Sequence, residues 1–329
     1  MTTKTMNAWQ VTAWGEPESM QWNEIAVPAP KAGQILIQVR AAALNFFDIL
    51  QIQGKYQVKP PFPFTPGAEV SGVVETVGED VQGFAPGDHV LAMVNQGGFA
   101  ECALSDPHRT FHVPKGMDFP AAAAFPIVYQ TSYFALVTRG QLQAGEWLLV
   151  HAGASGVGMS AIQIGKALGA HVIATAGSED KLQFAREQGA DHVVSYSEPG
   201  WVDAVKSFTK GRGADVIYDP VGGDIFDLSS KCIASEGRHL VIGFASGRIA
   251  SLAANRALLK NMSLMGVFWG GYVHEHPGYV AECQAALEQL AEEGKIHPRV
   301  AKSYEMRDAP QALRDMANRK VIGKTVLLP

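Results

Sequence analysis

From Trp147 onward the chain alternates short apolar runs with stretches of helical periodicity. The apolar runs are Trp147–His151, His171–Ala176, His192–Ser195, Asp215–Tyr218 and His239–Ile242. Between them, apolar residues recur at helical spacing over Val157–Leu168, Glu179–Gln188, Trp201–Thr209 and Asp224–Ile233. A continuous apolar run bounded by turn residues is the pattern of a strand buried on both faces. Strands that alternate with helices predict a parallel, doubly wound sheet. Met262–Val267 predicts a sixth strand, Val280–Glu293 an amphipathic helix and Thr325–Leu328 a last apolar strand.

The N-terminal third has a different rhythm. Short β-branched stretches, Ile35–Val39, Val70–Val77 and His89–Met93, are separated by turn signals such as Ala85-Pro86-Gly87-Asp88. Such punctuation predicts a small, mostly β unit. The expected division is therefore a mostly β unit from residues 1–125 and 265–329, with a nucleotide unit, 126–264, inserted between. A linear split into two domains is the plain alternative.

Composition narrows the class. The chain has 329 residues, enough for about two domains at roughly 150 residues each. With 47% hydrophobic and 18% charged residues it reads as an ordinary globular protein. The formal charge of −5, without a long Lys/Arg run, argues against nucleic acid or an anionic membrane as partner. The start, MTTKTMNAWQV, has no apolar signal core, and no stretch reaches membrane-spanning length. Cys102, Cys232 and Cys283 lie far apart in no paired spacing, which fits a reducing compartment; the expected location is the cytoplasm.

The richest chemical signal is WLLVHAGASGVGMSA, Trp147–Ala161. From Gly156 it spells G-x-G-x-x-A, with Gly156, Gly158 and Ala161 at the small-residue positions, after a strand and opening a helix. The first glycine permits the tight turn and the second lets backbone approach a pyrophosphate. The third small residue lets helix and strand pack closely, and the helix N-terminus offers unpaired N–H groups. Gly153, Ala154, Ser155, Gly156, Val157 and Gly158 are thus candidate cofactor-binding residues.

An NAD site places Asp or Glu at the end of the second strand, about 20 residues beyond the glycines. Here that place is Thr175-Ala176-Gly177-Ser178, without a carboxylate. Ser178 and Lys181 instead suit a 2′-phosphate, so the expected cofactor is NADP(H). Ser178 also fits a helix cap, and Glu179 is a competing ribose ligand.

Several segments together carry a family resemblance: LNFFDILQIQGKY (Leu44–Tyr56), PFTPGAEVSGVVETVGEDV (Pro63–Val81), GDHV (Gly87–Val90), HAGASGVG (His151–Gly158), YDPVGG (Tyr218–Gly223) and VIGFASG (Val241–Gly247). Along essentially its whole length the chain resembles the zinc-independent quinone oxidoreductase, zeta-crystallin-like branch of the medium-chain dehydrogenase/reductase superfamily. The resemblance implies an α/β fold, a GroES-like mostly β catalytic domain plus a doubly wound Rossmann domain.

Zinc-containing members have an early Cys and a Gly-His-Glu segment as catalytic ligands. This chain has Asn45 and Gly67-Ala68-Glu69 there, and lacks the four-cysteine structural lobe. Those places do not supply the three or four Cys, His or carboxylate ligands that zinc takes. His274 and His276 form an H-x-H pair without a third ligand and are expected in a surface loop.

By resemblance, Asn45 lies near nicotinamide and substrate, Asp48 supports it, Tyr56 walls the pocket and Thr131 stands near the nicotinamide, with Tyr129 a second hydroxyl nearby. Asp48 and Thr131 also read as helix-terminal structure, and Tyr56 as core. Tyr196 corresponds to a tyrosine bordering the adenosine phosphate and Arg319 to an arginine reaching the 2′-phosphate. Val221, Gly243, Phe244, Phe268 and Trp269 follow strands and edge the expected cofactor crevice; the last two also read as core aromatics. The D-x-Y-x-R pattern of many quinone reductases is altered, with Leu50 and Ile52 in place of Tyr and Arg, which implies a more apolar pocket.

A conjugated acceptor spreads incoming charge over its π system, so a hydrogen-bond donor suffices where an alcohol would need a Lewis acid. The expected activity is NADPH-dependent reduction of a small quinone or enone. Alternatives are an enoyl-thioester (acyl-CoA) reductase and a non-catalytic NADPH-binding, crystallin-like protein. The resemblance also implies a homodimer joined at the sixth-strand edge.

Overall fold

The computed structural model describes residues 4–329, which divide into two compact units. A terminal unit takes the described chain through Ile127 together with Pro298–Pro329. An inserted unit is Val128–His297.

The terminal unit opens with the hairpin β1 (Thr5–Gln10) and β2 (Gln21–Ala26). There follow β3 (Ile35–Ala43), α1 (Phe46–Ile52), β4 (Glu69–Val77), β5 (His89–Met93), β6 (Cys102–Ser105), β7 (Thr110–His112) and α2 (Phe119–Ala123). The chain passes into the inserted unit within α3 (Pro126–Tyr133), which runs into a π-helical turn, Phe134–Arg139. Next come β8 (Trp147–Val150), α4 (Gly156–Ala167), β9 (His171–Ala176), α5 (Glu179–Glu187), β10 (His192–Ser195) and α6 (Trp201–Phe208). Then follow β11 (Ala214–Asp219), α7 (Gly223–Ser229), β12 (Ile233–Val241), α8 (Ala254–Lys260), β13 (Ser263–Gly266), α9 (Trp269–Glu275) and α10 (Tyr279–Glu292). The chain returns to the terminal unit as β14 (Val300–Glu305), α11 (Ala309–Ala317) and β15 (Lys324–Leu328).

The six-stranded sheet of the inserted unit has the order β10-β9-β8-β11-β12-β13 and is parallel throughout. Leu148, Leu149, Val150, Val172, Ile173 and Ala174 are fully buried, as strands covered on both faces must be. Strand order reverses between β8 and β11, and in open α/β sheets ligands bind beyond the carboxyl ends of strands at such a switch point. The glycine turn follows β8 directly.

In the terminal unit the larger sheet runs β14-β15-β3-β4-β5-β7, with β6 also paired to β3. β15 joins antiparallel to the end of β3, Val326 opposite Ala43 and Leu327 opposite Ala42. Strands from before and after the inserted unit therefore meet in one sheet.

Three expectations need correction. The inserted unit runs on to His297, past the expected 264. The reason lies in α10, which buries Val280, Cys283, Gln284 and Leu287. Gln130 donates to Gln284 (3.0 Å), and the rings of Tyr272 and Tyr279 pack on Phe134. Helix α7 stops at Ser229 rather than Ile233, because Ile233 already begins β12 opposite Ala214. His274 lies on α9 rather than in a loop; it and His276 are exposed. Among the described residues no helix is long and apolar enough to cross a membrane.

Candidate functional site

The turn after β8 is built from backbone. Ala152 takes a left-handed conformation (φ 50°), and Ser155 caps α4 from an extended one. Ser155 Oγ accepts the N–H of Gly158 (3.1 Å) and donates to Ala152 O (2.8 Å). The N–H groups of Gly156 and Val157 precede the first i→i−4 bond, which runs from Met159 to Ser155 O. A Cβ on Gly158 would lie 2.1 Å from Ala152 O, and one on Gly153 2.9 Å from the Ala174 methyl. The turn and helix approach closely only because these positions are glycine. This geometry fits a pyrophosphate at the helix N-terminus.

Beneath the turn, buried side chains fix its shape. Ser229 spends its one proton on Ile225 O (2.6 Å), so His151 Nε2 donates to Ser229 Oγ and His151 Nδ1 accepts from Thr175 Oγ1, both 2.8 Å. Burial lowers the His151 pKa to about 4, so the imidazole is neutral. On β11, Asp219 Oδ1 accepts the N–H groups of Val221 (2.8 Å) and Gly222 (2.9 Å), and Oδ2 accepts from His239 Nε2 (3.2 Å). Burial opposes ionisation of Asp219, but the His239 hydrogen bond and nearby imidazoles hold its carboxyl below the usual range. Val221 is thus placed at the end of β11 by a side chain to which sequence reasoning gave no role.

The other strand-end residues lie in the same unit. Gly243 is half-buried; Phe244 and Phe268 are 40% and 55% exposed, and so are not core. Trp269 is half-buried, its Nε1 enclosed without a partner. Thr131 is half-buried on α3 beside Ser132, whose hydroxyl meets Ser160 (2.8 Å) and Tyr218 (2.9 Å) and so ties α3 to α4 and β11. Tyr129 is core: it is fully buried and donates to Gln163 (2.7 Å). Burial carries its pKa well above the ordinary phenol value, and it is no candidate proton donor.

β9 ends at Ala176 without a carboxylate, as expected. Ser178 stands at the N-cap of α5, but its hydroxyl bonds Asp180 rather than a helix N–H. Glu179 pairs with Arg186 on its own helix (2.8 Å). Lys181 lies in the first turn of α5, and Tyr196 follows β10 with its ring 3.4 Å from where a Cβ on Gly177 would stand. Arg319 belongs to the terminal unit, exposed after α11 in a left-handed conformation (φ 57°).

The terminal unit assembles a second cluster. Leu44 N–H donates to Thr325 O (3.0 Å), which registers β15 against the exit of β3 and sets Lys324 beside Asn45. Lys324 Nζ donates to Leu44 O (2.8 Å), Asn45 Oδ1 (3.0 Å) and Glu69 Oε1 (2.6 Å). Asn45 Nδ2 donates to the same Glu69 oxygen (2.8 Å), and Glu69 Oε2 accepts from Ile127 N–H (2.9 Å). Glu69 is fully buried, Lys324 3% and Asn45 7% exposed. Asp48, on the first turn of α1, accepts the Asn45 N–H (2.7 Å) through Oδ2; its Oδ1 is buried without a partner. Burial pushes the Asp48 carboxyl up to about 7. Tyr56 is half-buried, stacked on Phe47 at 5.3 Å, its pKa raised by burial and by Asp48. Ile52 is core rather than pocket lining, and Leu50 is half-buried.

Lys324 was missed in sequence. It opens an apolar run, Lys324-Thr325-Val326-Leu327-Leu328, and only the pairing of β15 with β3 reveals its partners. Glu69 occupies a motif position to which sequence reasoning assigns no role; its place beside apolar Val70 is the available signal.

Comparison with known proteins bears on both clusters. A family described as "Zinc-binding dehydrogenase" matches residues 156–296, and "Alcohol dehydrogenase GroES-like domain" matches residues 31–123. The chain is similar to quinone oxidoreductase-like protein 2 of Bos taurus, 38% identical over 307 residues, 92% of this chain and 88% of that one. Its fold is similar to a probable oxidoreductase from Mycobacterium abscessus, with TM-score 0.90 and 38% identity over 99% of this chain and 100% of the other. It is also similar to Escherichia coli quinone oxidoreductase complexed with NADPH, with TM-score 0.90 and 29% identity over 99% and 100%.

Proposed function

The chain belongs to the quinone oxidoreductase branch of the medium-chain dehydrogenase/reductase superfamily, and from that membership we propose an NADPH-dependent, zinc-free reductase of quinones or small enones. The observation that carries this reading is the glycine turn at the switch point of the parallel sheet, followed by a β9 that ends at Ala176 without a carboxylate.

The residues present fit a dinucleotide. The turn Gly153–Gly158 holds the pyrophosphate by backbone N–H groups, and Val221 and Gly243 border the remainder at the ends of β11 and β12. Lys181 supplies charge for a 2′-phosphate, which a carboxylate at Ala176 would repel. When bound, NADPH supplies the hydride, and a proton from solvent completes the two-electron reduction.

The residues do not fit a zinc ion. Asn45 Oδ1 and Glu69 Oε1, at the places of the family's zinc-binding segments, both accept from the Lys324 ammonium, and Ala68 offers a methyl group. A cation is already present there and ligand imidazole is not. Asn45 instead serves as hydrogen-bond donor to the acceptor oxygen, where charge develops. Asp48 holds the Asn45 backbone N–H, and Tyr56 contributes an apolar wall.

The dimer expected from the resemblance belongs to this proposal. β13 pairs only with β12 among the described strands, and Leu264 on it is 47% exposed. An unpaired strand edge of this kind invites a second copy.

The test is NADPH oxidation by the purified protein against quinones, enones and enoyl-CoA esters, with NADH and acceptor-free controls. Quinone- or enone-dependent oxidation that favours NADPH is expected. Activity confined to enoyl-CoA esters would replace the acceptor class. Binding of NADPH without turnover on any acceptor would overturn the reductase reading.

A further inference from the structure

The carboxamide of Asn45 is nearly symmetric in shape, so packing alone does not choose between its two flips. Its neighbours do. Lys324 carries only donors and a Glu69 carboxylate only acceptors. With Oδ1 toward Lys324 (3.0 Å) and Nδ2 toward Glu69 (2.8 Å), both contacts are favourable. The flipped amide would set N–H against ammonium and carbonyl against carboxylate, two repulsions in a buried site. Lys324 has committed all three of its protons, to Leu44 O, Asn45 Oδ1 and Glu69 Oε1. Glu69 is anchored in turn by Ile127 N–H (2.9 Å).

One hydrogen is left over. Among the described residues, Asn45 Nδ2 donates only to Glu69, so its second N–H is uncommitted. Lys324 also pulls electron density toward Oδ1, which makes that N–H the stronger donor.

We propose that Lys324 and Glu69 are a positioning pair that fixes the flip of Asn45, so that its remaining Nδ2–H is presented to the acceptor oxygen during reduction. The proposal rests on the reading of Asn45 as the acceptor's hydrogen-bond donor. It assigns a role in turnover to a residue at the far end of the chain, 279 positions from Asn45. Neither member of the pair touches the acceptor in this scheme; both act through the amide.

The test is a mutant cycle on the full chain, with NADPH affinity measured beside kcat and KM. Breaking a buried pair from one side leaves a charge unpaired, so the double variant E69Q/K324M, which removes both charges at similar volume, is the informative one. A loss of kcat on the order of 10-fold is expected, with KM and the NADPH Kd within about twofold of wild type. N45A should lose on the order of 100-fold in kcat. The triple variant N45A/E69Q/K324M should be no slower than N45A, because a pair that works through an amide has no effect once the amide is gone.

Wild-type kcat in E69Q/K324M, or losses that multiply in the triple variant, would overturn the proposal while leaving Asn45 as donor. Wild-type kcat in N45A would overturn both. Should E69Q/K324M fail to fold, K324R decides: it keeps the charge but not the three-point donation. Reduced kcat at unchanged NADPH affinity supports the pair, and unchanged kcat refutes it.

Discussion

The phosphate turn of the inserted unit is made of backbone and is complete within Gly153–Gly158, whereas the Asn45 cluster of the terminal unit is made of side chains gathered across 279 positions. In the first, what matters is the absence of atoms: glycine lets a carbonyl and a helix come within a distance that a methyl group would occupy. In the second, what matters is the complementarity of donor and acceptor among buried charges. A backbone site is therefore broken by adding volume. A side-chain cluster is broken by changing charge at constant volume.

The largest effect expected from this contrast is at Gly158. G158A places a methyl 2.1 Å from Ala152 O, so the start of α4 must move away from the turn. NADPH affinity should fall on the order of 100-fold, the scale associated with losing well-aligned donors to a charged group. Fluorescence titration reads it directly. N45A, by contrast, should bind NADPH within about twofold of wild type while losing turnover. Comparable loss of NADPH binding in both variants would abolish the distinction between the two regions.

A second contrast concerns protons. Asp48 keeps its proton in the folded protein up to about pH 7 but releases it near 3.8 when unfolded. The folded state thus binds more protons between those values, and stability falls as pH rises through them, by roughly 4 kcal/mol at most. His151 behaves oppositely: unfolded it protonates near 6.5, folded only near 4. Here the unfolded state binds more protons, so stability rises with pH from about 4 to 6.5, by roughly 3 kcal/mol at most. Hydrogen exchange can follow the two units separately. D48N should flatten the downward slope for β3 and β4 amides, and H151Q the upward slope for β8 and β9 amides. Slopes of the same sign in both units would show that other groups govern them.

The same contrast explains what was legible in the chain. His171–Ala176 and His192–Ser195 could be read as strands because apolar content and bounding turns are local. The turn could be read because glycine spacing is local too, and β9 without a terminal acid is a fact of one position. The end of the inserted unit could not. Nothing between 264 and His297 signals that Gln284 will receive a hydrogen bond from Gln130, or Tyr279 pack on Phe134. Lys324 was hidden for the same reason, since its meaning depends on β15 lying beside β3. Asp219 was a nearer miss: an Asp before Pro-Val-Gly is a turn signal, and the structure uses it to hold the Val221 and Gly222 N–H groups.

The smallest effect expected separates NADPH from NADH. At the start of α5 the Ser178 hydroxyl is bound to Asp180, so a 2′-phosphate arriving there meets an acidic neighbour as well as Lys181. Lys181 must outweigh that acid at an exposed site, where screening limits each charge to about 1 kcal/mol. K181A should accordingly raise the NADPH Kd about fivefold and leave NADH within twofold. D180N should move NADPH the other way by a few-fold, because it removes the repulsion and leaves the lysine. If K181A weakens both cofactors equally, Lys181 acts on the shared part of the dinucleotide or on α5 itself. Preference would then rest only on the missing carboxylate at Ala176, and A176D would become the variant that inverts it.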